Sequence, residues 1–162
     1  MKISLHGEYA FDLEPITVGE MAPNFKLLDQ NDQVVELEKL RDLPVVLSIF
    51  PDINTSVCDL QTREFNRLAS ENKAIHFLSI SNNTKEEQAN WCAAKGVDMT
   101  VLHDDANEFG SSYGLFAPKL NHLSRAVFVV DRDGKIVYAE VLSEVTDEPN
   151  YQAALDAAIA LS

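Results

Sequence analysis

Two nearly continuous apolar runs and three amphipathic stretches define the elements that the sequence predicts. Residues 44–50 and 74–80 are rich in β-branched and aromatic side chains, which is typical of strands buried on both faces of a sheet. Apolar positions that recur with a period near 3.6 predict helices over residues 56–69, 84–95 and about 151–159. Each buried strand is therefore followed by a helix.

Polar residues mark the predicted helix ends. Ser56 and Asp59 have the spacing of a capping box, with Asp59 in place of the usual Glu or Gln, and Thr84 and Glu87 match that motif more closely. Pro149 fits the first turn of the last helix. The mostly apolar face predicted for the first helix comprises Val57, Leu60, Glu64, Phe65 and Leu68.

Shorter alternating stretches predict further strands on either side of this unit. Two hairpins are expected near the N-terminus, and a third is expected around the turn at residues 131–134. Their strands cover residues 3–5, 10–13, 25–28, 34–37, 125–130 and 135–141. A β-α-β crossover implies parallel strands and a late hairpin implies antiparallel ones, so the sheet should be mixed. The order predicts a thioredoxin-like α/β fold with a mixed central sheet, flanking helices and an N-terminal β-hairpin extension.

Composition narrows the class of protein. The chain has 162 residues, of which 46% are hydrophobic and 24% charged, as expected for a single domain spanning residues 1–162. Its net charge of −13 argues against nucleic acid and anionic membranes as partners. The sequence contains no apolar run long enough for a membrane helix. The N-terminus lacks the apolar core and cleavage site of a secretory signal, which predicts a cytoplasmic protein.

The two cysteines are the strongest candidates for chemistry. Two are too few for a disulfide scaffold in a domain of this size. Cys58 lies at a predicted helix start, where unpaired N–H groups and the helix dipole favour a thiolate. Thr55 can hold the sulfur or an oxygen of a substrate, and Pro51 restricts the backbone of the loop. The alternative is that Cys58 is an inert buried thiol and that Cys92 merely fills a helix face.

The pattern Pro51-x-x-x-Thr55-x-x-Cys58 resembles the active-site motif of the peroxiredoxins. Other stretches, together with the position of Cys92, narrow the resemblance to the thiol peroxidase subfamily, an atypical two-cysteine type. These stretches are VGEMAPNF at 18–25, IFP at 49–51, SRAVFVVD at 124–131 and EVTDEPNYQAAL at 144–155. The resemblance extends from about residue 5 to residue 160, and it implies a peroxidase without metal or organic cofactor.

The resemblance also assigns roles to individual residues. It implies that Cys58 is the peroxidatic cysteine, which becomes a sulfenic acid, and that Cys92 resolves this acid as a Cys58–Cys92 disulfide. Thr55 and Arg125 match the positions that hold the peroxide oxygens. Gln61 occupies a position that supports the arginine, although a solvated helix face is the competing interpretation. Without the family match, Arg125 could equally be a surface charge at a strand start.

The resemblance further implies partners. They are a hydroperoxide substrate, thioredoxin or a similar dithiol reductant, and a second copy of the chain in a homodimer. The loop at residues 113–118 is a candidate apolar wall of the active site, or else a packed surface loop. A redox relay protein that senses peroxide with the same cysteines remains an alternative, as does a thioredoxin-like binding module without activity.

Geometry adds one expectation about motion. Packed helices have axes ~8–10 Å apart, whereas a disulfide needs Cα atoms within ~7 Å. The start of the Cys58 helix or the Cys92 segment should therefore unwind in each cycle. The four histidines are scattered without ligand spacing, which predicts no metal site.

Overall fold

A computed structural model of the chain describes residues 1–95 and 100–161, with the backbone alone for residues 92–95. The helices are α1 (Ser56–Glu71), α2 (Lys85–Lys95), α3 (Glu108–Ser112) and α4 (Tyr151–Ile159), and Leu37–Leu40 forms a 3-10 turn. The strands are β1 (Lys2–Leu5), β2 (Glu8–Asp12), β3 (Lys26–Asp29), β4 (Val34–Glu36), β5 (Val45–Ile49), β6 (His76–Ser81), β7 (Thr100–His103), β8 (Phe116–Ala117), β9 (His122–Leu123), β10 (Ala126–Val130) and β11 (Ile136–Val141).

A seven-stranded sheet in the order β11-β10-β5-β6-β7-β3-β4 organises the fold. Strand β6 pairs in parallel with β5 on one side and with β7 on the other, because a helix crosses over between each pair. Strand β10 is antiparallel to β5 and β11, and β3 is antiparallel to β7 and β4. The predicted thioredoxin-like α/β fold with a mixed central sheet is confirmed.

The sheet separates two apolar clusters. Every residue of β5 and β10 is buried, which confirms that the 44–50 run is covered on both faces. Helices α1 and α4 pack on one face, where the rings of Phe65 and Tyr151 meet edge to face at 5.2 Å. Residues of α3 pack on the other face, together with Phe25 and Leu37. Cys58 belongs to the α1–α4 cluster, so the candidate nucleophile lies inside a helix–sheet core.

The N-terminal strands form two separate hairpins. Strands β1 and β2 make a two-stranded sheet of their own, which is the predicted extension. The second hairpin, β3–β4, instead joins the edge of the main sheet through β7. Strand β7 and helix α3 were not expected from the sequence. They have four and five residues, respectively, which is too short for a clear periodicity.

A buried carboxylate holds the short helix α3. Asp104 is 1% exposed and accepts hydrogen bonds from the backbone N–H groups of Phe109 at 3.1 Å and Gly110 at 2.9 Å. Burial raises the pKa of Asp104 despite these bonds. A tertiary anchor of this kind explains why five residues are helical without a helical sequence pattern.

One predicted helix cap is confirmed and two are wrong. Thr84 and Glu87 form a reciprocal capping box, in which each side chain accepts a hydrogen bond from the other residue's backbone N–H at 3.1 Å. The predicted Ser56–Asp59 box is absent, because Ser56 is already helical and the N-cap is Thr55 without a side-chain cap bond.

The last helix begins two residues after Pro149, which therefore does not occupy its first position. Pro149 precedes the N-cap Asn150, whose side chain accepts a hydrogen bond from the backbone N–H of Ala153 at 3.0 Å. The asparagine side chain therefore fixes the helix start, and Pro149 lies outside the first turn.

None of the helices in the described part of the chain is long and apolar enough to cross a membrane.

Candidate active site

Cys58 lies in the first turn of α1, after a loop that leaves the end of strand β5. It is a free thiol with 0% of its surface exposed. The helix starts here because Thr55 has an extended backbone and its carbonyl accepts from the N–H of Asp59 at 3.0 Å. The sulfur is therefore close to the positive end of a 16-residue helix.

Arg125 is the positive charge at the sulfur. Its Nη1 donates to Sγ of Cys58 at 3.3 Å and to Oε1 of Gln61 at 2.8 Å. Its Nε donates to the carbonyl of Val145 at 2.9 Å. The residue is only 2% exposed, so the surface-charge interpretation is excluded. Within residues 1–95 and 100–161, no carboxylate forms an ion pair with this arginine.

A buried cation without a carboxylate partner needs another source of negative charge. The sulfur of Cys58 occupies that place, and a thiolate beside an arginine is the form that reacts as a nucleophile. The remaining contacts of the guanidinium are neutral oxygens of Gln61 and Val145. Among the described contacts of the guanidinium, the Cys58 sulfur is thus the one that belongs to an ionisable group.

Gln61 connects the arginine to the sheet. Its Nε2 donates to Oγ of Ser48 at 2.8 Å and to the carbonyl of Ile49 at 3.2 Å, both in β5. The side chain is fully buried, which rules out the solvated-face interpretation. The position of Arg125 is therefore tied to a central strand.

The buried face of α1 differs from the predicted one. Leu60 is 51% exposed and Val57 is half-buried, whereas the polar residues Gln61 and Thr62 are fully buried. Thr62 donates from Oγ1 to the carbonyl of Cys58 at 2.9 Å. The apolar pattern was misleading because this face is polar where it meets Arg125 and β5.

Thr55 and Pro51 shape the loop without touching the sulfur. Oγ1 of Thr55 donates to the carbonyl of Asp52 at 2.9 Å, and the residue is exposed. Pro51 is buried. Both line a pocket of about 260 Å³ beside Cys58. Thr55 is therefore available to a molecule in the pocket and does not hold the sulfur.

The pocket is formed by four segments from different parts of the chain. The other residues lining it are Leu5, His6, Ser56, Val57, Arg125, Val145 and Thr146. The loop at residues 113–118 is not among them, so it forms no wall of this pocket within a single chain. Tyr113 is instead fully buried in the core and donates from its hydroxyl to the carbonyl of Pro23 at 2.7 Å.

Glu144 joins the N-terminal hairpin to this pocket. Its carboxylate accepts from the backbone N–H groups of Thr146 at 2.9 Å and Gly7 at 2.6 Å, and from the hydroxyls of Thr146 and Ser4. The hydrogen bonds from Thr146 and Gly7 lower the pKa of Glu144 to about 2. The hairpin is therefore held against the loop that supplies the Val145 carbonyl to Arg125.

No pattern in the sequence predicted Leu5, His6 or Glu144 as part of the site. A signal was present at His6-Gly7, a turn dipeptide in which both residues have positive φ, 54° and 81°. Nothing local connected that turn to residues 144–146, because the hydrogen bonds span almost the whole chain.

A second polar network fixes the loop before Cys58. Asn83 is 4% exposed and accepts from the N–H of Ile53 at 2.8 Å, while its Nδ2 donates to Asp52 at 2.9 Å. Asn54 donates to Glu87 at the start of α2 at 3.0 Å. Burial opposes ionisation of Asp52, but the hydrogen bonds from Asn83 and Asn54 lower its pKa. The Cys58 loop is thus joined to helix α2.

Cys92 lies in α2, and its side chain falls outside the described residues. The preceding residue, Trp91, donates from Nε1 to Oδ1 of Asp59 at 3.1 Å. Among the described residues, no group of three or more His, Cys, Asp or Glu side chains could hold a metal ion.

Comparison with known proteins places this arrangement in a family. The Redoxin family model matches residues 17–155. A thiol peroxidase of Bacillus subtilis (strain 168) is 37% identical over 150 residues, which cover 91% of this chain and 90% of the relative. A thiol peroxidase of Staphylococcus aureus (strain MRSA252) is 41% identical over 146 residues, covering 89% and 88%.

A solved crystal structure has a closely similar fold. The peroxiredoxin-like protein from Aquifex aeolicus has a TM-score of 0.91 and 24% sequence identity, and the match covers 99% of this chain and 97% of that chain. On these matches the chain belongs to the redoxin family, within the thiol peroxidases of the peroxiredoxin group.

Proposed function

We propose that this protein is a thiol-dependent peroxidase in which Cys58 reduces hydroperoxides. The observation that carries the proposal is the contact of 3.3 Å between Sγ of Cys58 and Nη1 of the buried Arg125, beside a pocket that can admit a substrate. Membership of the thiol peroxidases supports the same reaction class.

The first step is attack of the Cys58 thiolate on an oxygen of the hydroperoxide. A sulfur–oxygen bond forms and the oxygen–oxygen bond breaks, which leaves a sulfenic acid and releases an alkoxide that becomes an alcohol after protonation. Arg125 faces the reacting sulfur and supplies positive charge where the leaving oxygen becomes negative. Thr55 at the pocket wall can bind a peroxide oxygen.

The second step joins Cys58 and Cys92. The thiol of Cys92 attacks the sulfenic sulfur, a disulfide forms and water leaves. Because Cys58 is fully buried, a protein reductant cannot reach its sulfur while α1 is closed. The segment must therefore open during the cycle. Thioredoxin or a similar dithiol protein then reduces the disulfide.

The pocket favours hydroperoxides with an apolar group. Leu5, Val57 and Val145 contribute aliphatic side chains, and Arg125 provides a charged end. Apolar surface removed from water by an alkyl group on the substrate adds binding energy of roughly 0.8 kcal/mol per methylene. An alkyl hydroperoxide should accordingly be preferred to hydrogen peroxide.

Substitution of each cysteine separates the two steps. Cys58→Ser should lose all peroxide consumption, whereas Cys92→Ser should consume one equivalent and then stop when thioredoxin is the only reductant. Full turnover by Cys58→Ser would exclude the assignment. A wild-type protein that forms the disulfide but turns over slowly with thioredoxin would instead indicate a redox relay.

The family also supports a homodimer as the working form. Sedimentation equilibrium across a range of protein concentrations measures the association. A protein that remains monomeric at the highest concentration would contradict this part of the proposal and leave the chemistry of Cys58 untouched.

A further inference from the structure

A hydrogen bond joins a neighbour of Cys58 to a neighbour of Cys92. Asp59 follows Cys58 in the first turn of α1, and Trp91 precedes Cys92 in α2. Nε1 of Trp91 donates to Oδ1 of Asp59 at 3.1 Å. The bond therefore spans the gap between the two helices that carry the reacting sulfurs.

The surroundings make this bond stronger than an exposed one. The indole of Trp91 is 7% exposed and packs in the cluster that contains Ile53, Cys58 and Phe65. The Asp59 side chain is 24% exposed, and its other oxygen accepts from Nε of Arg63 at 3.0 Å. A hydrogen bond to a carboxylate that is largely withdrawn from water contributes more than a neutral one.

Helix α2 contacts the Cys58 segment on both sides of the cysteine. Glu87 lies one turn before Trp91 on the same helix face and accepts from Asn54 at 3.0 Å. Asn54 precedes Cys58 and Asp59 follows it, so the segment that must open is bound to α2 at both ends. The indole bond is the contact on the side of helix α1.

We propose that the Trp91–Asp59 hydrogen bond is a latch that keeps the first turn of α1 closed and sets the rate at which the oxidised Cys58 reaches Cys92. Trp91 and Asp59 are positioning residues, since neither touches the sulfur of Cys58. This inference rests on the proposed peroxidase function. Weakening the latch should increase the population of the open segment and leave the first oxidation step unchanged.

Two fates compete for the sulfenic acid. In one, the sulfur of Cys92 bonds to the sulfur of Cys58, the sulfur–oxygen bond breaks, and the hydroxyl leaves with the thiol proton as water. In the other, a second hydroperoxide transfers an oxygen to the same sulfur, its oxygen–oxygen bond breaks, and a sulfinic acid and an alcohol form. A closed latch prolongs the life of the sulfenic acid and thereby favours the second fate.

Rapid mixing with a hydroperoxide, followed by acid quenching and mass spectrometry, measures all of these species. Trp91→Phe keeps an apolar ring but loses the N–H donor, and Asp59→Ala removes the acceptor. Both should form the disulfide about tenfold faster, as expected for the loss of a charged hydrogen bond. Both should also need more peroxide to reach the sulfinic acid. The double variant should gain no more than either single variant.

Arg63→Gln is the matched control, because it removes another partner of Asp59 and retains the indole bond. Its rate of disulfide formation should stay within about twofold of wild type. General destabilisation of the fold would not accelerate disulfide formation alone. Faster disulfide formation with an unchanged rate of Cys58 oxidation therefore distinguishes the latch from general destabilisation. Unchanged disulfide formation in both Trp91→Phe and Asp59→Ala would overturn the latch. A wild-type protein that forms no sulfenic acid would instead refute the proposed function.

Discussion

The Nε group of Arg125 donates to the carbonyl of Val145 at 2.9 Å, so the backbone of a distant loop orients the guanidinium. Another nitrogen of the same group is thereby directed at Cys58. Three acceptors at fixed positions need the planar, forked donor set of an arginine, which a lysine cannot reproduce.

Arg125→Lys should therefore slow the oxidation of Cys58 by about 10²-fold, because the positive charge remains but the donors no longer match the sulfur and Gln61. Stopped-flow measurement of the first turnover with a hydroperoxide tests this. Arg63→Lys changes an exposed arginine of the same helix and should leave the rate as it is. Equal rates for the two variants would show that orientation of the guanidinium is unimportant.

Gln61→Leu should destabilise the protein by about 1–3 kcal/mol, since Arg125, Ser48 and Ile49 would each lose a hydrogen-bond partner in the core. Gln61→Glu keeps an acceptor for Arg125 and should therefore lose less stability than Gln61→Leu. Urea unfolding gives both values. The exposed Gln152→Leu in helix α4 serves as control, with an expected change within about 0.5 kcal/mol. The idea fails if Gln61→Leu is as stable as that control.

Acid should loosen the N-terminal hairpin through Glu144. Its pKa is about 2 in the folded protein and near the ordinary carboxyl value of 4.5 in the unfolded chain. A lowered carboxyl pKa contributes stability that is fully present above about pH 5 and is lost as the pH falls towards 2. Unfolding free energies measured between pH 6 and pH 3 should decrease less steeply in Glu144→Gln than in the wild type. If the unfolding free energies of the two proteins decreased with pH in parallel, Glu144 would not be the group responsible.

Val57→Ser should reduce the preference for an alkyl hydroperoxide over hydrogen peroxide by about tenfold, because it adds a hydroxyl to the apolar wall of the pocket. The ratio of the two kcat/KM values is the relevant measurement. Leu60→Ser provides the matched control, since Leu60 lies on the same helix but is 51% exposed and outside the pocket. An unchanged ratio in Val57→Ser would place the alkyl group elsewhere.

Local signals predicted the fold where they were long or chemically specific. The apolar runs at 44–50 and 74–80 predicted β5 and β6 correctly, and the Thr84–Glu87 pair predicted the start of α2. Strand β7 and helix α3 were missed because neighbouring elements stabilise them, as the Asp104 carboxylate does for α3. Their own residues carry too few turns or alternations to reveal them.

The candidate site could be predicted only in part, because its side chains also depend on contacts with residues distant in the sequence. The motif around Cys58 and the family resemblance identified Arg125 and Gln61 as candidates, and the structure brings both to the sulfur side of α1. The burial of Gln61 depends on Ser48 in β5 and on Arg125, which immediately precedes β10. No periodicity in α1 could indicate those partners.

The hydrogen bonds of Glu144 determine when the pocket can form during synthesis of the chain. Leu5 and His6 reach the pocket only when Ser4 and Gly7 are bound by a residue near the other end of the chain. During synthesis, the turn at His6-Gly7 emerges first and must wait for Glu144 before the pocket can close. The pocket beside Arg125 thus cannot form in a nascent chain that stops before Glu144.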